Sequence, residues 1–385
     1  MKLSFERINT LLAKALRIEP HLLKSSFRPA TEKDFDDIVK FRRDYFDEEL
    51  PWNDGAYLRW RYDFSDSESE NRNIFWILEI DGDLLGVIGT ECLELVVGRE
   101  VKEAHHPLDI LVKPEFNGLG IGAWLSLAIN EKYNIILAVT ANENSKSLFN
   151  RAYHPMPYLS TWKLMIKSEN LVRKHIKSPT LVTFISALFD QILSLRRLIA
   201  RRASLPNDAE IKTIERFSDE INEWRLSGTH SPGVYRLRSA KFLNWRFVDN
   251  PRRGHEIIGL YVNDNLIAYI VYHVWHSPKQ QGVLAGIDDF FWNSDKIEDL
   301  GFKCENVLNL LITRATESMQ RRNATVIIIS FYGKMIESIL RSMSFVDRSG
   351  EDVFGVSTQI DSFKNIIYDE STWFLTDADT HGESF

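Results

Sequence analysis

The sequence predicts an α/β (α+β) fold in which two domains each hold a mixed central β-sheet flanked by helices. The chain has 385 residues, more than twice the roughly 150 residues of an average domain. Hydrophobic residues make up 44% of it and charged residues 26%, a globular balance that excludes disordered and low-complexity classes. Strand-like and helix-like stretches follow one another along both halves, as expected for sheets covered by helices.

The composition also limits the compartment and the partners. The formal net charge is −7, and the 47 basic and 54 acidic residues are interspersed, which argues against nucleic acid as a partner. With only two cysteines, Cys92 and Cys304, the chain has neither a disulfide framework nor a Cys-based metal site, and we predict no metal. No apolar run approaches the roughly 20 residues that cross a bilayer. We therefore expect a cytoplasmic protein.

The first half begins with an amphipathic helix within residues 1–26, whose apolar residues recur at helical spacing. The first domain covers residues 27–167. Two short helices come first, and a strand pair with the tight turn Asp81-Gly82-Asp83 follows. The predicted strands are Ile74–Ile80, Leu84–Val97, Pro107–Val112, Ile135–Thr140 and Ser160–Ile166, and the predicted helices between them are Ala123–Lys132 and Ser145–Tyr153.

Residues 168–212 form a basic helical linker in this prediction. Leu181–Ala200 has helical periodicity. The segment from Leu171 to Ala203 contains seven Lys or Arg residues and only one acidic residue, Asp190. Such a helix either packs on the two domains that it connects or lies on a membrane surface. Peripheral membrane contact through residues 171–203 is therefore one of two open alternatives.

The second half, residues 213–385, repeats the first. Four segments of the first domain recur in the same order and at similar spacing, which favours a duplication over chance similarity. The matched pairs are Leu58–Tyr62 with Leu243–Phe247, Ile80–Leu85 with Val262–Ile267, Ile135–Thr140 with Val326–Ser330, and Leu148–Tyr153 with Leu340–Phe345.

One segment carries the signature of a binding site. A strand that ends at Val112 leads through Gly118, Gly120 and Gly122 directly into a helix. Glycines allow positive φ angles and close backbone approach. Backbone N–H groups in such a turn, together with the positive end of the helix, favour an anion such as a pyrophosphate. The spacing lacks the Gly-Lys-Ser/Thr of a P-loop.

This segment resembles the pyrophosphate loop of the GNAT acyltransferase superfamily, over residues 27–167. Val112-Lys113-Pro114-Glu115 matches the strand end of that family, and Asn117-x-x-Gly120-x-Gly122 matches its loop, with Asn in place of the usual Gln or Arg. Residues Asn144 to Tyr153 look like the segment that follows in the family. The chain is thus identified as a tandem GNAT protein whose second copy is degenerate.

The resemblance implies acyl-CoA, with acetyl-CoA as the expected donor. The strand residues would pair with the pantetheine amides, the loop would hold the pyrophosphate on its N–H groups, and two later residues would flank the thiol end. In that order, the implied residues are Ile110, Leu111 and Val112; Asn117, Gly118, Leu119, Gly120, Ile121 and Gly122; and Asn144 and Phe149.

Catalysis needs a base for the attacking amine and a donor for the oxyanion. His105 and His106 precede the open strand and are either the base or surface residues. Asp109 lies within the strand, either as a catalytic group or as a structural hydrogen-bond acceptor. The family often has a Tyr general acid where this chain has Phe149, so Tyr153 or Tyr158 is the substitute candidate.

The second copy lacks the glycine loop. Its matching segment, Asp288–Gly301, holds one glycine and several acids, which would repel a pyrophosphate. Asp288 and Asp289 either contact a cationic acceptor or serve as loop or N-cap residues. The predicted function is N-acyl transfer from acyl-CoA to a primary amine, with an amino sugar of surface polysaccharide synthesis as the acceptor by analogy. The alternative is a regulatory protein that binds acyl-CoA without turnover.

Overall fold

A computed structural model describes most of the chain. It covers residues 4–44, 55–65, 72–139, 151–157, 159–169, 172–173, 176–200, 209–226, 233–251, 254–277, 282–333, 336–348 and 353–380. Contacts divide the chain into two compact units. Unit 1 consists of Met1–Pro157, Asn250–Arg252 and Asp352–Glu370, and unit 2 consists of Tyr158–Asp249, Arg253–Glu351 and Ser371–Phe385.

Helices and strands alternate as the sequence predicts. The helices with described bounds are α1 (Phe5–Leu16), α2 (Pro20–Ser25), α3 (Phe35–Arg43), α4 (Gly55–Arg61), α5 (Ile121–Lys132), α6 (Pro179–Ala200), α7 (Ala240–Leu243), α8 (Ser294–Asp299), α9 (Cys304–Arg321), α10 (Glu337–Ser342) and α11 (Lys364–Ile367). The strands are β1 (Phe27–Pro29), β2 (Ile74–Ile80), β3 (Asp83–Val97), β4 (Glu100–Val112), β5 (Ile135–Ala138), β6 (His154–Pro157), β7 (Ser160–Met165), β8 (Ala209–Thr213), β9 (Val234–Arg236), β10 (Glu256–Val262), β11 (Asn265–Ser277), β12 (Gly282–Trp292), β13 (Val326–Tyr332), β14 (Val346–Asp347), β15 (Val353–Thr358) and β16 (Trp373–Thr376).

Each unit contains a mixed sheet with helices packed on it, so the predicted fold class is confirmed. In unit 1 the strand order is β1-β2-β3-β4-β5-β15-β6, and all neighbours are antiparallel except the β4–β5 pair. In unit 2 the order is β8-β10-β11-β12-β13-β7-β14, with β12–β13 as the parallel pair. Strand β16 of unit 2 pairs antiparallel with β13 and parallel with β9.

Strand membership differs from the contiguous domains that the sequence suggests. The boundary at residue 167 assigns Ser160–Met165 to the first domain, yet this strand pairs with β13 and β14 in unit 2. Conversely, β15 comes from the second half and lies between β5 and β6 in unit 1. Apolar periodicity identifies a strand but not its partner, because the pairing depends on backbone hydrogen bonds.

The N-terminal helix also differs from the separate segment that residues 1–26 suggest. Helix α1 packs on α5 in unit 1, and the Trp124 indole donates a hydrogen bond to the Asn9 side chain at 2.8 Å. The Trp124 ring also meets Phe27 edge to face and Phe5 at a tilt, with centroid separations of 5.4 and 5.7 Å. This buried contact fixes the position of α5, and therefore of the glycine loop before it.

Most predicted bounds agree with the structure to within a few residues, and β4 is the main exception. It begins at Glu100, whereas the sequence predicts a start at Pro107. The residues before Pro107 pair with β3 in register, from Val97 with Glu100 to Glu91 with His106. Charged side chains in this stretch hide the strand pattern. Most of the helix predicted at Ser145–Tyr153 lies outside the described residues.

The position of β15 in unit 1 predicts a specific packing defect. A Cβ atom on Gly355 would stand 2.6 Å from the Tyr153 Cβ atom and 3.0 Å from its Cγ atom. We expect Gly355→Ala to lower the free energy of unfolding by about 1–3 kcal/mol, the usual cost of overpacking, in urea denaturation. Gly254→Ala is the matched control, because a Cβ there meets nothing within 4 Å. Equal stability of the two variants would contradict the assignment of β15 to unit 1.

Candidate functional site

A β-bulge in β4 organises the candidate site of unit 1. Leu108 pairs with Gly89 and Leu111 pairs with Val87, so two residues of β4, Asp109 and Ile110, lie opposite one residue of β3. The backbone of Asp109 is left-handed, with φ of +52°. A bulge leaves the ladder locally unpaired and changes the direction of the strand. The direction of β4 therefore changes here, and its residues beyond Leu108 are half-buried.

The Asp109 side chain holds the bulge in place. The Tyr62 hydroxyl donates a hydrogen bond to one carboxylate oxygen at 2.6 Å, and the Arg42 guanidinium lies 3.4 Å from the other. Burial and the Asp109 charge raise the pKa of Tyr62 well above its ordinary value, so the hydroxyl stays a donor. Of the two roles left open for Asp109, this geometry favours the structural acceptor.

A glycine creates the space for this hydrogen bond. A Cβ atom on Gly89 would stand 2.1 Å from the Tyr62 hydroxyl oxygen, which is shorter than any tolerable contact. Gly89 therefore lets the Tyr62 ring approach β3 closely, and the Tyr62 hydroxyl reaches Asp109. Sequence reasoning missed Tyr62 and Arg42 as site residues. The only local signal was a glycine inside an otherwise apolar strand, which often marks a close approach.

Beyond the bulge, β4 becomes accessible. The residues from Ala104 to Leu108 are buried, whereas Asp109–Val112 are half-buried. In the described part of the chain, the only β4–β5 pair is His105 with Ile136. The two parallel strands thus separate after His105, and the predicted pantetheine residues Ile110, Leu111 and Val112 lie on the part of β4 that has left β5.

The glycine loop follows at once and leads into α5. Gly118 and Gly120 have φ angles of +83° and +91°, and a Cβ atom on either would meet nothing within 4 Å. Asn117 and Leu119 are exposed around them. Helix α5 begins at Ile121 with Gly120 as its N-cap, and no side chain caps it. An uncapped helix start leaves its first N–H groups unsatisfied.

Those first amides point to an anion site. In the described residues, no backbone carbonyl accepts the amides of Gly120, Ile121, Gly122 or Ala123, whereas Trp124 donates to the Gly120 carbonyl at 2.9 Å. The Ile121 side chain is buried in the core, so only its amide serves a ligand. A Cβ atom on Gly122 would stand 3.6 Å from the Val112 side chain, which places the loop beside the open strand end.

The two candidate bases are buried and lie on opposite faces of β4. His105 stacks on Tyr133 with a centroid separation of 3.5 Å, and its Nε2 atom is 3.7 Å from Glu103. His106 lies opposite Glu91 in the β3–β4 pair. Both rings are almost inaccessible, so the alternative that they are surface or loop residues is wrong. His106 is three residues, or about 10 Å, from the Asp109 bulge.

The sequence also offers Glu91 and Glu94 as weaker base candidates at solvent-facing positions of β3, but Glu91 is buried beside His106. Its carboxylate accepts from Arg61 at 2.8 Å, and Arg61 also donates to the Tyr57 hydroxyl at 3.0 Å. Removing one partner of such a buried pair typically costs about 3–5 kcal/mol. Glu94, three residues further along β3, is exposed.

Tyr153, the candidate general acid, is buried against β15 in unit 1. Gly355 provides the space for its ring. Burial raises the pKa of the Tyr153 hydroxyl above its ordinary value, and a hydrogen bond with Ser126 of α5 opposes this. The hydroxyl is thus protonated at neutral pH. Asn144, Phe149 and Tyr158 lie outside the described residues.

Unit 2 has no glycine loop at the corresponding place within its described residues. The short helix α8 follows β12 directly, and Asn293 caps it through a hydrogen bond from the Lys296 amide at 3.1 Å. Asp288 and Asp289 are buried residues of β12, so the loop or N-cap alternative for them is wrong. Asp289 accepts from Arg238 and, at 2.6 Å, from the Tyr269 hydroxyl, which leaves it unavailable to a cationic acceptor.

Helix α6 exposes part of its apolar face. Phe184 is 70% exposed, and Leu181 and Leu188 are each 52% exposed. Val182 and Ser186 are buried instead, and the Ser168 amide donates to Asp190 at 2.8 Å. One side of the helix therefore packs on the protein while an apolar stripe faces solvent. No helix in the described part of the chain is long and apolar enough to cross a membrane.

The fold of this chain is similar to that of several solved structures. No protein-family model and no curated protein gives a significant match to the sequence. A conserved protein of unknown function from Enterococcus faecalis V583, described as a probable N-acyltransferase, matches with a TM-score of 0.54 at 9% identity, over 86% of this chain and 71% of its own.

Two further matches also cover 86% of this chain. One is a GCN5-related N-acetyltransferase from Anabaena variabilis, with a TM-score of 0.53 at 11% identity over 72% of its length. The other is Saccharomyces cerevisiae N-myristoyltransferase with bound myristoyl-CoA, with a TM-score of 0.52 at 10% identity over 82% of its length. At such identities similarity defines architecture and not activity, and the chain has the fold of the GNAT-type N-acyltransferases and N-myristoyltransferase.

Proposed function

We propose that this protein is an N-acyltransferase that moves an acyl group, with acetyl as the first choice, from acyl-CoA to a primary amine. Two features of unit 1 together carry the proposal. Strand β4 separates from β5 after His105 and is bulged at Asp109, and a glycine loop with uncapped α5 amides follows this strand directly. Similar structures that are described as a probable N-acyltransferase, an N-acetyltransferase and an N-myristoyltransferase support the reaction class.

The cofactor would lie along the open end of β4. The amides from Asn117 to Gly122 would donate to the pyrophosphate, since a helix start attracts anions through its N–H groups and dipole. The half-buried backbone of Ile110–Val112 would pair with the pantetheine amides. The thioester then reaches the bulge, where Asn144 and Phe149 are the proposed neighbours of the thiol end.

The reaction would be direct attack of the amine nitrogen on the thioester carbon. A backbone amide at the bulge is the proposed donor to the oxyanion, in the role of an oxyanion hole. His106 is the proposed base, acting through water because of its distance from the bulge, and His105 is the second choice. When the C–S bond breaks, Tyr153 protonates the thiolate. Asp109 is a positioning residue here.

The second half is proposed to be a degenerate copy that does not bind CoA. The positions of the β-bulges support this. The bulge at Leu85 of β3 corresponds to the one at Ile267 of β11, and the bulge at Asp109 of β4 corresponds to the one at Asp288 of β12. Shared irregularities at matched positions favour duplication, because bulges persist within families. The acceptor proposed by analogy is an amino sugar of surface polysaccharide synthesis.

Gly120→Glu tests the cofactor site. We expect it to weaken CoA binding about 10-fold or more in calorimetry, because like charges 4 Å apart repel by roughly 1–4 kcal/mol. Gly301→Glu is the matched control: Gly301 also has a positive φ, of +73°, and open space, but it lies in unit 2. Equal CoA affinity of the two variants would refute the pyrophosphate assignment.

Turnover separates an enzyme from a sensor. We expect thiol release from acetyl-CoA in the presence of an amine panel that includes amino sugars. His106→Gln should lower kcat by about 100-fold, within the usual contribution of a general base, with CoA affinity unchanged. His21→Gln, on the exposed face of α2, should retain full activity. CoA binding without turnover on any amine would favour the regulatory alternative.

Peripheral contact with the cytoplasmic membrane surface is proposed for α6. Its exposed stripe of Leu181, Phe184 and Leu188, within a segment of seven basic residues and one acid, has the chemistry of a helix that lies on anionic lipid.

A vesicle assay tests this contact. We expect the protein to sediment with phosphatidylglycerol-containing vesicles, and the double substitution Phe184→Ser and Leu188→Ser to reduce binding at least about 10-fold, since each buried apolar side chain contributes roughly 1.5–3 kcal/mol. Leu11→Ser, an exposed leucine of α1, serves as the control. Unchanged sedimentation of the double variant would leave α6 as a packing connector only.

A further inference from the structure

Three metal-ligand side chains converge in unit 2, whereas the proposed acyl-CoA site belongs to unit 1. The Asp288 Oδ2 atom lies 2.6 Å from His273 Nδ1 and 3.1 Å from His255 Nε2. The three ligand atoms all lie within 4.8 Å of one another. Two imidazoles thus share one carboxylate oxygen, each with a ring nitrogen directed to the same point.

The fold places these groups by means of a bulge and a glycine. Val271 and Tyr272 of β11 pair with Asp289 and Ile287 of β12, so Asp288 is the extra residue of the bulge. The β12–β13 pairing also ends at Ile287. Opposite His273 stands Gly286, where a Cβ atom would lie 3.1 Å from the His273 ring and 3.4 Å from an Asp288 oxygen. The glycine therefore leaves room for the cluster.

Aromatic rings surround the cluster and limit its access to water. Trp275 stacks on His273 with a centroid separation of 4.5 Å, and Phe247 meets His255 edge to face at 5.0 Å. The side chains of His255 and Asp288 are 2% and 8% exposed, and only His273, at 18%, borders solvent. A charged group in such a place must be compensated by a partner.

We propose that His255, His273 and Asp288 form a binding site for one zinc-type divalent metal ion. In a tetrahedral zinc site with bonds of about 2.0–2.2 Å, neighbouring ligand atoms are about 3.4 Å apart. The present N···O separations of 2.6 and 3.1 Å would need to open by less than about 1 Å. The ion would replace the N–H protons that now lie between the imidazoles and the carboxylate.

The surroundings favour zinc over ions with six ligands. The donor set of two imidazoles and one carboxylate suits zinc, and three protein ligands leave one position open. Because only the His273 side borders solvent, a fourth ligand, a water or an anionic oxygen, would have to approach from that side. Magnesium and calcium prefer all-oxygen shells with more ligands.

The sequence contains no spacing that announces this site. His255 lies just before β10, His273 follows 18 positions later on β11, and Asp288 a further 15 positions later on β12. Only the pairing of these strands brings the three ligands together. The proposal does not depend on acyl transfer: the ligands all belong to unit 2, and metal binding can be measured without any acyl-CoA.

Cobalt titration of the full chain, after chelator treatment, tests the proposal. We expect one Co²⁺ per chain with the visible absorption bands of a four-coordinate ion, and displacement by Zn²⁺. Asp288→Asn keeps the side-chain volume and should weaken binding by more than the roughly 10- to 100-fold that accompanies loss of an outer partner. His273→Gln gives a second, independent ligand deletion, and circular dichroism verifies the fold of each variant.

Two controls decide the result. His276→Gln removes an exposed histidine of the same strand and should leave cobalt binding unchanged. Cys92→Ser alters the other candidate cluster, Cys92, Glu103 and His105, and should also have no effect. Cobalt spectra that survive both Asp288→Asn and His273→Gln, or a thiolate charge-transfer band that vanishes with Cys92→Ser, would overturn the proposal.

Discussion

The bulge at Asp109 is the constraint on which the candidate site depends. A non-glycine residue with φ of +52° costs of order 1–3 kcal/mol, and the structure offsets this with the Tyr62 hydrogen bond and the Arg42 ion pair. Gly89 makes the Tyr62 position possible. From this bulge to Val112 the strand is half-buried and not fully enclosed, and the glycine loop follows within ten residues of the bulge.

Two distant parts of the chain support this region of unit 1. Helix α1 anchors α5 through the Asn9–Trp124 hydrogen bond, which fixes the helix whose first amides face the open strand. Strand β15, which comes from the second half of the chain, extends the sheet beyond β5, and its Gly355 leaves space for the Tyr153 side chain. A rigid scaffold of this kind suits a site whose work is done by backbone amides, since such donors must be held in place before the reaction begins.

The sequence predicted the parts of this protein that are local. Periodicity identified most strands and helices, and the run from Val112 to Gly122 identified the loop. It did not predict that β7 pairs in unit 2 and β15 in unit 1. It also did not predict the contacts of Asp109 with Tyr62 and Arg42, because these residues are 47 and 67 positions away from Asp109. The burial of Glu91 was missed for the same reason, because its partner Arg61 lies on a helix 30 positions earlier. The His255–His273–Asp288 cluster likewise depends on strand register.

A crystal structure of the full chain with acetyl-CoA would test the central claim most directly, namely that the open end of β4 and the start of α5 form one acyl-CoA site. The account predicts pyrophosphate oxygens within about 3 Å of the amides of Gly120–Gly122, the pantetheine along Ile110–Val112 and the thioester at the Asp109 bulge. A cofactor bound in unit 2, or one whose pyrophosphate lies away from the start of α5, would contradict it.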